Sequence, residues 1–371
     1  DPWNILLLTF TNKAAREMTE RVRSLIPLDL SRLWSGTFHS IANRILRQHA
    51  EYLGYTPAFT IMDSDDRKSM IKSVIKSLKL DEKSTRFPKP EVLSSLFSLA
   101  DNEGANIQET LENAYPYLSN HLDAILDVHE QYVARKQETN SMDFDDLLLN
   151  VVRLFQEQEH LRALYGSRFQ HILVDEYQDS NEVQETLIRC VSRERFGTPN
   201  VFMVGDVKQS IYKFRLAKPE LFLEKYESYG KEDGLYQKIE LHKNFRSRPE
   251  VLSSINDVFY RIMTKQLGNI KYTDDAALYP GAEFPALPVD GQAKTEVLLL
   301  NTGDPLFDGM DEEKADYTAK EAEARLIAGE IKKLTDPEQG MKIFNGKTGE
   351  YEPLKKKDIV ILLRSLSGWS E

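Results

Sequence analysis

Phe169-Gln170-His171-Ile172-Leu173-Val174-Asp175-Glu176-Tyr177-Gln178-Asp179-Ser180-Asn181-Glu182 is the stretch on which the reading of this chain turns. Ile172, Leu173 and Val174 form a short apolar run, the pattern of a strand buried on both faces of a parallel sheet. Asp175 and Glu176 fall at its carboxyl end, where open α/β sheets place their ligands. Two adjacent carboxylates there suit metal-assisted phosphoryl transfer. Asp175 would hold the Mg²⁺ of a nucleotide, directly or through water, and Glu176 would polarise the attacking water. An apolar run and two acids alone would equally describe a strand entering an acidic turn. The Tyr-Gln-Asp-Ser-Asn that follows separates the two readings.

The totals set loose bounds. A chain of 371 residues is long enough for two or more domains, and its apolar content is sufficient for a core without disulfides. The one cysteine, Cys190, lies in a helical pattern and reads as a small core residue, and a lone thiol fits a reducing cytoplasm. No signal peptide and no apolar run of membrane-span length is present, so no membrane association is expected. The net charge of -11 argues against coating nucleic acid by bulk charge, yet leaves room for a motor gripping a strand in one local groove. Residue 1 is Asp and the chain opens almost on an internal strand, so it reads as a piece of something longer.

With Tyr177 to Asn181 included, the opening string resembles the second helicase motif of the superfamily 1 DNA helicases, the UvrD/Rep/PcrA group and its AddA relatives. Thr9-Phe10-Thr11-Asn12-Lys13-Ala14-Ala15-Arg16-Glu17-Met18 leaves a buried-strand pattern over 5–10 and opens a helix. Thr11-Asn12 serves as its cap, and Ala15, Met18, Val22 and Leu25 follow at helical spacing. This string is similar to motif Ia, which implies that Phe10 stacks on or wedges single-stranded DNA and that Asn12 contacts its backbone. By pattern alone Phe10 reads as core. Gly36-Thr37-Phe38-His39-Ser40 is similar to motif Ib, implying phosphate contacts from Thr37 and His39; without the resemblance His39 reads as structural.

Met142-Asp143-Phe144-Asp145-Asp146-Leu147 is a further signature of the family and implies that Phe144 stacks on a base. The residues alone leave open that Asp143 caps a helix and Phe144 is buried. Gly205 to Arg215 is similar to motif III. The resemblance implies that Gln209 senses the γ-phosphate or its water and that Tyr212 and Phe214 present rings to bases. Arg215 would join the phosphate network or the strand contact. Alternating basic and aromatic residues are what a stacking platform in a positive groove requires. Asn244-Phe245-Arg246-Ser247-Arg248 is similar to motif IV, implying an arginine finger at Arg246 and a ring on the adenine at Phe245, where the family often carries Tyr. Arg364 corresponds to a residue near the DNA.

The fold class implied is α/β: a RecA-like P-loop NTPase parallel sheet (domain 1A) with a helical insertion (1B) and the start of a second RecA-like domain (2A). Residues 1–62 and 141–235 would form 1A, 63–140 the insertion and 236–371 the start of 2A. Further strands are expected at 200–204, 239–242, 296–300 and 358–363, with a long helix over 316–334. The phosphate loop G-x-x-x-x-G-K-[ST] is expected upstream of Asp1. Gly340 to Thr348 imitates it, but has one residue too many between its glycines and precedes an extended segment; Asn345-Gly346 reads as a hairpin turn. Motifs V and VI and a nuclease signature are not seen before residue 371.

Motifs before about residue 165 lean toward UvrD/PcrA. Those from about 185 lean toward AddA, which belongs to an ATP-dependent helicase–nuclease of double-strand break repair. The resemblance implies an ATP- and Mg²⁺-dependent helicase of 3′-to-5′ polarity, cytoplasmic, acting on single-stranded DNA and duplex junctions. The AddA likeness adds a nuclease/helicase partner subunit of AddB type. The fragment alone is expected to be inactive. The rival reading is a non-catalytic DNA-binding or partner-docking module with a retired motor fold; the set Asp175, Glu176, Gln209 and Arg246 speaks against it.

Overall fold

Ile172 and Val174 are fully buried in the strand His171–Val174, which lies between two parallel neighbours as its apolar run requires. The computed structural model describes the chain except residues 27–28, 81–86, 211–215, 231, 233, 269, 289–292, 302–318 and 364–371. It divides into two compact units, Asp1–Ile239 and Glu240–Glu371.

In the first unit the strands are β1 (Ile5–Thr9), β2 (Trp34–Thr37), β3 (Thr60–Ile61), β4 (Ser141–Met142), β5 (His171–Val174) and β6 (Val201–Met203). Four of them form a sheet of order β2-β1-β5-β6, parallel throughout. The register pairs Thr9 with Thr37, Leu8 with Val174, and Val174 with Met203, which aligns the carboxyl ends of all four strands along one edge. The helices are α1 (Asn12–Leu25), α2 (Phe38–His49), α3 (Ser64–Ser77), α4 (Pro90–Glu103), α5 (Ile107–Ala114), α6 (Leu122–Glu138), α7 (Phe144–Glu157), α8 (Glu159–Arg168), α9 (Glu182–Val191) and α10 (Glu220–Ser228).

Two separate cores hold this unit. One gathers Leu6, Leu8, Ile172 and Val174 of the sheet with the apolar faces of α2, α7 and α9. Cys190 is half-buried against it, as its helical pattern indicates. The other is drawn only from residues 62–132, with Ile71, Leu93, Leu96, Phe97, Ile125 and Val128 at its centre. The helical stretch thus has its own interior, and the parallel pair β3–β4 lies where the chain leaves the sheet region and returns to it.

The second unit contains β7 (Lys243–Asn244) paired in parallel with β8 (Tyr279–Pro280), the helices α11 (Pro249–Ile262), α12 (Lys265–Gly268) and α13 (Ala319–Leu334), and the hairpin β9–β10 (Lys342–Asn345 with Glu350–Pro353). Asn256 of α11 exchanges two 2.9 Å hydrogen bonds with the backbone of Leu278, tying the helix to β8. The hairpin follows the turn reading of Asn345-Gly346, with Gly349 closing it in the left-handed region (φ +75°). Three expectations are corrected here. Residues 239–242, 296–300 and 359–363 are not strands, and Leu362 is 90% exposed. An apolar run makes a buried strand only where neighbours satisfy its backbone, and among the described residues none pairs with these segments.

Candidate active site at the carboxyl edge of the sheet

The chain turns sharply as it leaves β5. The Asp175 N–H donates to Leu8 O at 3.0 Å, which continues the pairing with β1 by one residue. The Tyr177 N–H then donates to Val204 O at 2.9 Å, which swings the backbone over the end of β6. Between them Glu176 takes a left-handed backbone, φ +56°, which costs a non-glycine residue about 1 kcal/mol or more. Asp175 is thereby left exposed, while Glu176 is half-buried.

Glu176 Oε2 is buried with no hydrogen-bond partner among the described residues, and so are Thr9 Oγ1, Asp179 Oδ1 and Ser180 Oγ. Such orphans are rare in a settled interior and mark a place built for a guest. Burial raises the Glu176 carboxyl above the ordinary range and Asp175 raises it further; the Thr9 hydroxyl partly offsets this without completing a hydrogen bond. Asp179 is pushed up to about 6 by burial and by Glu176. Among the described residues no group of three or more acidic, His or Cys side chains could cage a metal. One exposed carboxylate beside one half-buried carboxylate fits Mg²⁺ carried on nucleotide phosphates, since that ion keeps most of its ligands from water and phosphate.

The loop after β6 is stitched to this turn. Gln178 Oε1 accepts from the Asp206 N–H at 3.0 Å. A Cβ on Gly205 would lie 2.7 Å from that oxygen and 3.2 Å from the Gln178 nitrogen, so the close approach needs glycine. Asp206 accepts from Gln209 Nε2 at 3.0 Å and pairs with Lys208 at 2.9 Å, which holds the Gln209 side chain at the loop surface. From the far side the Tyr177 hydroxyl donates to buried Glu185, which also binds Lys225 Nζ at 2.8 Å. Sequence reading assigned no role to Gln178, Asp179, Glu185 or Thr9. Gln178 and Asp179 stood inside the quoted string, but only the turn shows what they face.

The expected strand-contact residues occupy the same edge. Phe10 is half-buried, its ring 5.3 Å from that of Phe38, and Asn12 is exposed at the start of α1, which Thr11 caps. The Thr37 hydroxyl caps α2 by accepting from the Ser40 N–H at 3.2 Å. His39 is half-buried; burial lowers its pKa, against the pull of Asp145. Both open readings at 143–144 meet an answer: Asp143 does cap α7, in a reciprocal box with Asp146, but Phe144 is not buried. Its ring is 53% exposed and stands 6.0 Å from that of His39. In the second unit Phe245 is 66% exposed and lies over Gly281, where a Cβ would come within 2.9 Å of the ring. Arg246 is exposed, its N–H donating to Asn244 Oδ1 at 2.9 Å. Tyr212, Phe214, Arg215 and Arg364 lie outside the described residues.

Compared with known proteins, residues 1–230 match the family model described as the UvrD/REP helicase N-terminal domain. The chain is 45% identical over 275 residues to the AddA-type ATP-dependent helicase/nuclease subunit of Lachnoclostridium phytofermentans, covering 66% of this chain and 20% of that protein. It is 38% identical over 326 residues to the corresponding protein of Clostridium beijerinckii, covering 82% and 26%. It is 36% identical over 335 residues to that of Alkaliphilus oremlandii, covering 90% and 26%. An alignment over 90% of the chain carries the AddA likeness well into the part before residue 185. The chain spans only a fifth to a quarter of the length of these relatives.

Proposed function

This chain belongs to the UvrD/REP helicase family, and from that premise we propose that it is the front part of an ATP-driven DNA helicase or translocase. The observation that carries the proposal is Glu176: a strained, half-buried carboxylate with one orphaned oxygen, beside an exposed Asp175, at the end of a central parallel strand. A glycine would hold that turn with less strain, so the side chain is kept for what it does.

In this reading residues 1–62 and 141–235 form motor domain 1A, 63–140 the insertion 1B, and 236–371 the start of 2A. Asp175 holds Mg²⁺ that arrives with ATP, and the ion would spread the charge of the β- and γ-phosphates. Glu176 orients the attacking water and takes its proton, a task its raised pKa favours. Gln209 leaves Asp206 to meet the γ-phosphate or its water. Arg246, as a finger from the second domain, stabilises charge on the transferring group, and Phe245 stacks on the adenine. Phe10, Asn12, Thr37, His39 and Phe144, with Tyr212, Phe214, Arg215 and Arg364, form the path of single-stranded DNA. His39 serves there as a neutral hydrogen-bond donor. The relatives are named as subunits of a helicase/nuclease, which supports action on double-strand breaks with an AddB-type partner. Movement is 3′-to-5′.

The test is ATP turnover by the full-length parent with and without single-stranded DNA. Glu176→Gln should keep nucleotide binding and lose at least about 100-fold in turnover, the scale of a general base. Unchanged turnover would reject Glu176 as the base, and a parent with no DNA-stimulated turnover would favour the non-catalytic module.

A further inference from the structure

The first unit contains a line of side-chain hydrogen bonds that the proposed chemistry does not use. Asn102 lies in the last turn of α4, the helix of the 62–132 core that packs on both α7 and α9. Its Nδ2 donates to Asp145 Oδ1 at 3.0 Å and to Ser98 O at 2.9 Å, and its Oδ1 accepts from Asn181 Nδ2 at 2.7 Å. Each end is anchored again. Asp145 is bound by buried Arg67 and adjoins exposed Phe144. Asn181 is nearly fully buried and caps α9, its Oδ1 accepting from the Gln184 N–H at 3.0 Å. One peptide before it, Ser180 donates its N–H to Tyr177 O and accepts from the Lys218 N–H. A chain of polar contacts therefore runs from Phe144 through Asp145, Asn102 and Asn181 to the turn that carries Glu176.

We propose that Asn102 is a positioning residue that couples strand binding at Phe144 to ATP turnover at Glu176, an inference that rests on the functional reading above. The amide suits the place because it donates at one end and accepts at the other. A nucleic acid base on Phe144 biases the α7 amino terminus, and Asn102 passes that bias to the α9 cap and the turn before it. Because α4 belongs to a separately packed core, it moves as a body and transmits displacement instead of absorbing it.

The experiment compares ATP turnover by the full-length parent, its Asn102→Ala variant, and the swap Asn102→Asp with Asp145→Asn. In the swap the amide now at position 145 donates, and the carboxylate now at position 102 accepts from both neighbours. Both hydrogen bonds persist, the first with its polarity reversed. Asn102→Ala should lower the single-strand-stimulated kcat about tenfold, the scale of an ordinary coupling between sites. Basal kcat and KM for ATP should stay within about twofold of the unaltered parent on that scale. The swap should restore stimulation, and it reads the same link should Asn102→Ala fail to fold. A parallel fall of basal and stimulated rates, unaffected stimulation in Asn102→Ala, or a folded swap that remains unstimulated would each overturn the inference alone. A parent without stimulation would overturn the functional reading and this inference with it.

Discussion

Glu176 shows how much one residue in this chain is asked to hold. Its backbone sits where glycine is favoured, one carboxylate oxygen is buried without a partner, and a second acid stands beside it. Each feature is unfavourable to folding, and together they describe a base kept ready at the end of a strand. The raised pKa, caused by burial and then by Asp175, has a kinetic consequence. In kcat/KM, which reports the free enzyme, the parent should lose activity on acidification at a higher pH than an ordinary glutamate would dictate. A pH–rate profile over the acidic range measures this. An acid limb at or below the ordinary glutamate range would mean that the carboxylate is solvated in the working enzyme.

Helix α7 is the element on which most of the buried charge converges. Its cap Asp143 accepts from the Tyr132 hydroxyl at 2.7 Å and from Lys136 Nζ at 3.3 Å, with Arg67 Nε 3.6 Å away. Burial alone would raise this carboxyl, but Lys136 and Arg67 outweigh it and hold it down at about 2. Asp101, in the last turn of α4, behaves in the opposite way. Burial and then Asp145 push it from its ordinary 3.8 up to about 7. Folding therefore binds a proton at Asp101 between these values. The stability it contributes is full below about 3.8, declines as pH rises toward about 7, and is level above. Asp101→Asn should gain about 2 kcal/mol at pH 8, after allowance for partial exposure, and nothing near pH 4. Thermal melts of the two proteins across that range test it, and a pH-independent difference would place the Asp101 carboxyl in solvent.

Across the whole molecule, strand-like sequence meets two different fates. Ile5–Thr9 and His171–Val174 each have parallel neighbours on both sides, while 296–300 and 359–363 carry similar apolar runs with no pairing among the described residues. Amide hydrogen exchange on this chain should therefore be slowest in β1 and β5 and fast at 359–363. Protection at 359–363 equal to that of β5 would reveal a paired strand and reject this description.

What the sequence determined by itself is local. The run Ile172–Val174 specifies a buried strand, Thr11 and Asp143 specify helix starts, and Asp175-Glu176 specifies where acidity falls, because each depends on near neighbours along the chain. The motif strings also carried the family, since the same functional groups are written at matching spacing. The division of 1–239 into two cores, the left-handed turn at Glu176, the close approach that makes Gly205 necessary, and the exposure of Phe144 came only with the fold. So did the line through Asn102, whose partners Asp145 and Asn181 lie 43 and 79 residues away. Propensity and periodicity act over a turn or two of chain, whereas pairing, burial and hydrogen bonding at such separations depend on which surfaces meet. Residues 359–363 show the limit most plainly: an apolar run is a proposal for a strand, and the neighbouring strand decides.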